Sequence, residues 1–169
     1  MERFLNGYFY NPSKGNLQFA EVIGELISWM RERPEKSYEV IVGCDSSSEE
    51  EPNFPVAVVI LRHKEGGRFF LKKVHYPKRI FGSWRQRILE EVCLSCALGM
   101  ELREKLQKSA EKFPELNYEF RYIHADVGEN GRTKDMIKEV VGLIRGNGFE
   151  PKIKPESYAA SVVADRYSK

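Results

Sequence analysis

The sequence predicts an α/β fold: a mixed five-stranded sheet with helices on both faces. Periodic and apolar segments alternate in the order α-β-β-β-α-β-α-β-α along 169 residues. A hairpin meander followed by two β-α-β crossovers makes the sheet mixed rather than purely parallel. No repeat, low-complexity tract or Pro/Gly/Ser linker divides the chain, so one domain is expected over residues 1–169.

The elements follow in order. Segment 16–33 places Phe19, Ile23, Leu26, Ile27 and Met30 on one side of a helix, with Asn16 as its N-cap and Pro34 closing it. Residues 38–44 are short, apolar and β-branched and end at Asp45-Ser46-Ser47-Ser48, which reads as a strand covered on both faces. Residues 56–62 and 68–74 are two further strands joined by His63-Lys64-Glu65-Gly66-Gly67, whose glycines supply positive φ. Ser83 caps a long helix running to about residue 108. A fourth strand, 118–125, stops at Asp126-Val127-Gly128. The helix 133–145, with Ile137, Val140, Val141 and Ile144 on one stripe, ends at Gly146-Asn147-Gly148. Pro151 confines the fifth strand, 149–154, to a sheet edge, and a last helix covers 157–167. In such a sheet the first and fourth strands can lie parallel and adjacent, so that their carboxyl ends open into one crevice.

Composition excludes some classes. With 41% apolar and 31% charged residues the chain is neither disordered nor a membrane protein. The run Val56-Ala57-Val58-Val59-Ile60-Leu61 is far short of the roughly 20 apolar residues that span a bilayer. Met1-Glu2-Arg3-Phe4 begins no apolar leader, so the expected compartment is the cytoplasm. Three cysteines need not pair there, and Cys93-x-x-Cys96, with no second pair at zinc spacing, reads as two core residues.

The net charge of +2 conceals a segregation. Residues 1–61 carry 5 basic and 10 acidic side chains, and residues 88–169 carry 13 and 14. Between them Arg62, Lys64, Arg68, Lys72, Lys73, Lys78, Arg79, Arg85 and Arg87 face only Glu65, a balance of +8 over 26 residues. Phe69, Phe70, His75, Tyr76, Phe81 and Trp84 interleave this belt. Basic side chains neutralise phosphates and exposed aromatics stack on unpaired bases. The alternative is a solvated hairpin whose aromatics point into the core.

Four acids stand out. Asp45 and Asp126 end the two strands that are to be neighbours, and a strand spacing of about 4.8 Å puts both within reach of one cation. Either can also be a turn-forming aspartate. On the long helix Ile88, Val92, Gly99 and Leu106 define the apolar face. Glu90 projects about 160° from Ile88 and reads as solvated, whereas Glu91 projects about 60° from it. An acid on a buried stripe is costly unless paired or metal-bound, the pairing candidate being Arg87. Asp165 shares a side of the last helix with Tyr158, Ser161 and Val162, and a plain surface acid explains it equally well.

Other features carry less. Gly128-Glu129-Asn130-Gly131-Arg132-Thr133-Lys134 is not a P-loop, since the Gly-Lys-Ser/Thr ending is absent. Asn130, Arg132 and Lys134 nevertheless lie beside Asp126, within reach of a phosphate. His124 points to the same face as Asp126 and can support it from behind.

Gly43-Cys44-Asp45-Ser46, Arg85-Gln86-Arg87-Ile88 with Glu91, His124-Ala125-Asp126-Val127-Gly128 and the tail Lys152-Ile153-Lys154-Pro155-Glu156-Ser157-Tyr158-Ala159-Ala160-Ser161 resemble the YkuK-type family of predicted ribonuclease-H-like nucleases. The likeness covers nearly the whole chain, from the 17–30 helix onward. It implies the ribonuclease-H-like fold, in which acids in the order Asp, Glu, Asp, then Asp or His bind two divalent cations. By position these are Asp45, Glu91, Asp126 and Asp165, the last at the position where the superfamily is most permissive. Proofreading-type exonucleases carry an Asp-x-Glu pair on the first strand, and here Asp45 is followed by Ser46-Ser47.

The expected activity is therefore phosphodiester hydrolysis of a nucleic acid, whether RNA, DNA or hybrid, with two Mg²⁺ or Mn²⁺ ions about 3.5–4 Å apart. Lys72, Lys73, Lys78, Arg79, Trp84, Arg85, Arg87, Arg132 and Lys134 are the expected nucleic-acid contacts. The alternatives are a catalytically inactive nucleic-acid-binding module of the same fold and a nucleotide-handling enzyme, the latter supported by no phosphate-binding loop. No membrane partner is expected.

Overall fold

Residues 6–168 are described by the structure, a computed structural model. Its strands are β1 (Phe9–Asn11), β2 (Gly15–Leu17), β3 (Ser37–Cys44), β4 (Asn53–Arg62), β5 (Gly67–His75), β6 (Asn117–His124) and β7 (Glu150–Lys152). The helices are α1 (Phe19–Glu32), α2 (Trp84–Ala110) and α3 (Ile137–Gly146). Among the described residues the strands form one seven-stranded sheet in the order β2-β1-β5-β4-β3-β6-β7.

The five anticipated strands are all present, and the α/β class with its mixed sheet stands. The two additional strands are a short hairpin, Phe9↔Leu17, attached to β5 through Tyr10↔Leu71. Asn16 therefore pairs with Tyr10 inside that hairpin instead of capping α1. The helix starts at Phe19 after Gln18, whose backbone N–H donates to Glu21 Oε1 at 3.1 Å. Two other boundaries shift. A 3-10 turn, Arg132–Met136, precedes α3, and the last helix is a π-helical turn, Ala159–Ala164, running into a 3-10 turn, Asp165–Tyr167.

Strand β3 is buried continuously from Val40 to Cys44, as a strand covered on both faces must be. One cover is large: Val40, Val42 and Cys44 join a core with α1 (Leu26, Met30), α2 (Leu94, Leu98, Leu102, Leu106) and α3 (Val140, Ile144). Opposite, Ile41, Ala57, Val59 and Leu71 form a smaller cluster with Ala159 and Ala164 of the C-terminal turn, flanked by Tyr158, Val163 and Tyr167. The helices thus lie on both faces, but unequally. Gly99 lets α2 approach β6, where a Cβ would come 3.1 Å from both Ile123 Cδ1 and Phe149 Cζ. Pro151 sits in β7 at the sheet edge, where its missing N–H breaks no ladder.

Strands β3 and β6 are parallel neighbours with one irregularity. Val40 pairs with Phe120 but Ile41 with Tyr122, so Arg121 is an extra residue on β6. Beyond it Gly43 faces His124, and the same register brings Asp45 level with Asp126. No helix among the described residues is long and apolar enough to cross a membrane.

Candidate active site

The carboxyl ends of β3 and β6, the first turns of α2 and the C-terminal helical segment border one cleft of about 560 Å³. Asp45, Glu91, Asp126 and Asp165 all line it, so four acids from four parts of the chain meet there. Asp45 follows β3 and is anchored by its N–H to Pro55 O at 3.3 Å. Its carboxyl group lies near that of Asp165, which also lines the cleft. Burial first, then the contact with Asp165 and the charge of Asp126, push the Asp45 pKa up to about 8.

Glu91 is only 6% exposed, as its place on the apolar stripe of α2 required. It accepts a hydrogen bond from Ser46 Oγ at 2.5 Å. Burial, then the charge of Asp45, holds its pKa well above the usual carboxylate range, while Ser46 and Arg87 pull the other way. Arg87 acts on Glu91 through its charge and also lines the cleft. Glu90 is not the solvated residue expected: Tyr76 Oη donates to it and Arg79 lies 4.0 Å away, outside the cleft. Glu91→Gln is expected to lower Mn²⁺-supported cleavage at least about 10²-fold. Glu90→Gln should stay within a few-fold of the parent in the same single-turnover assay.

Asp126 Oδ1 is sealed from solvent and has no hydrogen-bond partner, yet Lys154 Nζ stands 3.1 Å from it. His124 is 1% exposed and supports the cleft from beneath. Its Nδ1 accepts the Ala159 N–H at 3.1 Å and its ring meets Tyr158 edge-on at 4.7 Å. Burial, then Lys152, lowers its pKa to about 4, so it is neutral near pH 7, with its proton on Nε2. His124 therefore fastens the segment that presents Asp165.

Gly43 makes that fastening possible. A Cβ there would sit 2.6 Å from Ala160 N and 2.8 Å from Ala159 C, so only glycine lets the π-helical turn lie directly on β3.

The donor set suits a hard cation: four carboxylates line one cleft, and one of them, Asp126, has a solvent-sealed Oδ1 faced by the Lys154 ammonium. Among the described residues no three His, Cys, Asp or Glu side chains converge to hold a metal ion. The expected ligands are gathered in one cleft without being drawn to a point. Mg²⁺ tolerates this, since it keeps several waters and takes only one or two carboxylates beside substrate phosphates.

The anticipated nucleic-acid contacts divide. Trp84, Arg87 and Arg132 line the cleft, with Arg85 and Arg132 guanidinium carbons 4.7 and 5.0 Å from the Trp84 ring centre. Arg85 also lies 3.8 Å from Asp135. Lys78 and Arg79 are exposed in the loop before α2, and Lys134 is exposed on the 3-10 turn beyond the cleft lining. Lys73 is exposed on β5, while Lys72 is half-buried there and donates to Asn6 O at 2.7 Å. The start of the belt lies elsewhere: Arg62 and Arg68 stack on Trp29 at the opposite end of the sheet. Phe70 and Phe81 are core residues. Cys96 is buried, its thiol pushed up to about 12, but Cys93 is exposed, so only one of that pair is a core residue.

Two cleft residues escaped the sequence reading, Ser46 as the partner of Glu91 and Lys154 as the partner of Asp126. The topology that placed Asp45 and Asp126 at strand ends applies equally to the end of the fifth strand, where Lys154 stands.

A family model described as "Ribonuclease H-like" matches residues 21–169. The chain is 30% identical over 169 residues to the Bacillus subtilis protein titled "Uncharacterized protein YkuK", a match covering 95% of this chain and 96% of that one. No solved structure matches the chain.

Proposed function

The chain belongs to the ribonuclease H-like family, in its YkuK-type branch, and from that premise we propose that it is a metal-dependent nuclease hydrolysing phosphodiester bonds by a two-metal-ion mechanism. The observation that carries this reading is that Asp45, Glu91, Asp126 and Asp165 line one cleft together with Arg87 and Arg132. These four acids would hold Mg²⁺ or Mn²⁺. Two such ions would supply an activated water and charge stabilisation for the leaving oxygen.

The chain's own groups do the rest. Ser46 fixes the orientation of Glu91. His124, by holding Ala159, keeps Asp165 over Asp45. Arg87, Arg132 and Arg85 offer positive charge to the substrate backbone, and Trp84 offers a ring edge or face at the mouth. Lys78 and Arg79, with Lys73 and Lys72 on β5 and Lys134 beyond the cleft, extend the basic surface along a strand.

The test is hydrolysis of end-labelled single-stranded RNA, single-stranded DNA and RNA–DNA hybrid in Mg²⁺ or Mn²⁺, with EDTA as control. Cation-dependent cleavage of at least one substrate is the expected result. Salt-dependent binding without any cleavage would make the protein a nucleic-acid-binding module instead.

A further inference from the structure

Lys154 has no part in the roles above, yet the fold places it with care. After β7 the chain continues beside residues 125–127: Ala125 N–H donates to Lys152 O at 2.9 Å and Lys154 N–H to Val127 O at 2.8 Å. Gly128 leaves room for the stem, since a Cβ there would stand 2.9 Å from Lys154 Cβ. The side chain lines the cleft and ends with its ammonium 3.1 Å from Asp126 Oδ1, the sealed oxygen with no hydrogen bond. An isolated surface pair contributes about 0–1 kcal/mol and fixes nothing. Here the lysine is 47% exposed, while its carboxylate partner is 23% exposed and belongs to the acid cluster.

Two demands meet at this ammonium. A divalent cation taking Asp126 as a ligand competes with it for the same oxygen. A phosphodiester entering the cleft offers a non-bridging oxygen, which suits a compact point charge on a flexible four-carbon stem.

We propose that Lys154 is a substrate-positioning residue that exchanges partners, neutralising Asp126 in competition with a divalent cation and engaging a substrate phosphate when nucleic acid enters. The inference rests on the nuclease reading of the cleft. It adds a third charged partner to that site, one that belongs neither to the acid set nor to the basic belt.

The test uses the full chain and the variants Lys154→Met, Lys154→Gln and Lys154→Arg. Mn²⁺ affinity is measured by electron paramagnetic resonance without nucleic acid. The binding of a labelled oligonucleotide that the parent recognises is followed across a salt series by fluorescence anisotropy. Lys154→Met should bind Mn²⁺ roughly 3- to 10-fold more tightly, because a competing charge is gone. Its salt slope should fall by about one phosphate contact. Lys154→Arg should keep the parent's slope, and Lys154→Gln provides the same reading as Lys154→Met should the latter fail to fold. If both affinity and slope match a parent that binds metal and oligonucleotide, Lys154 is only a surface ion pair and the proposal falls. Movement of one readout without the other also overturns the exchange. A parent that binds neither ligand overturns the nuclease reading, and the role of Lys154 with it.

Discussion

Asp45→Asn is expected to reduce divalent-cation-dependent cleavage by roughly 10³-fold or more while making the protein more stable at pH 8 in EDTA. The two effects share a cause. Asp45 is crowded by Asp165 and Asp126 in a site where it is only 8% exposed, and its pKa is about 8 against an ordinary 3.8. Between about pH 4 and pH 8 the unfolded chain therefore releases a proton that the folded chain keeps. The stability this group contributes is fully present below pH 4 and is lost as pH rises through 8, at up to about 1.4 kcal/mol per pH unit. Glu91, whose pKa is also raised, acts with the same sign.

Asparagine does not titrate, so that part of the decline vanishes in the variant. A gain between about 2 kcal/mol and the roughly 6 kcal/mol that a four-unit shift allows corresponds at pH 8 to a melting temperature at least about 5 °C higher. Below pH 4 the two proteins should differ little. Thermal melts of both from pH 4 to 9 check this, and stability curves that run parallel throughout would sink it.

Gly43→Ala is the second large effect. The new methyl group meets backbone, Ala160 N at 2.6 Å and Ala159 C at 2.8 Å, and backbone cannot rotate away as a side-chain tip would. The π-helical turn must lift from β3, which weakens the Ala159 bond to His124 and withdraws Asp165 from Asp45. Overpacking of this kind costs about 1–3 kcal/mol, so the melting temperature should drop by roughly 3–10 °C. Cleavage should fall at least about 10²-fold, with far-UV circular dichroism nearly unchanged. A variant with parental melting and activity would show that the turn does not need this contact.

What the sequence disclosed were the features governed by local periodicity. The azimuth of Glu91 on α2 separated it from Glu90, because helix geometry fixes which side chain faces a core. The neighbouring ends of β3 and β6 followed from crossover rules, and those ends carried Asp45 and Asp126 to the same crevice. Features set by long-range pairing stayed hidden. Asn16 resembles a helix cap, and only its pairing with Tyr10 reveals a strand.

The basic belt is divided in space for a geometric reason. Charge counted along a chain is one-dimensional, whereas β4 and β5 run antiparallel for 10 and 9 residues, about 30 Å. The belt's beginning at Arg62 is thereby carried to the far end of the sheet, against Trp29. Arg85 and Arg87 fall at the cleft only because α2 starts there. Tyr76 and Arg79 cover Glu90 from a loop that no periodicity describes.

The unpaired Arg121 on β6 has a consequence for comparing relatives by sequence. Side chains in a strand alternate, so position along it is counted in whole residues and error there is never small. Straighten the bulge while keeping this residue in the ladder and Ala125, not Asp126, arrives opposite Asp45, with its side chain at the height the acid had held. A relative without the bulge must therefore write its third acid one place earlier, at the position Ala125 occupies here. Alignments that slide a gap through this strand to match the aspartates will conceal that difference. The length of chain between the bulge and the acid is a punctuation mark to be read together with the acid itself.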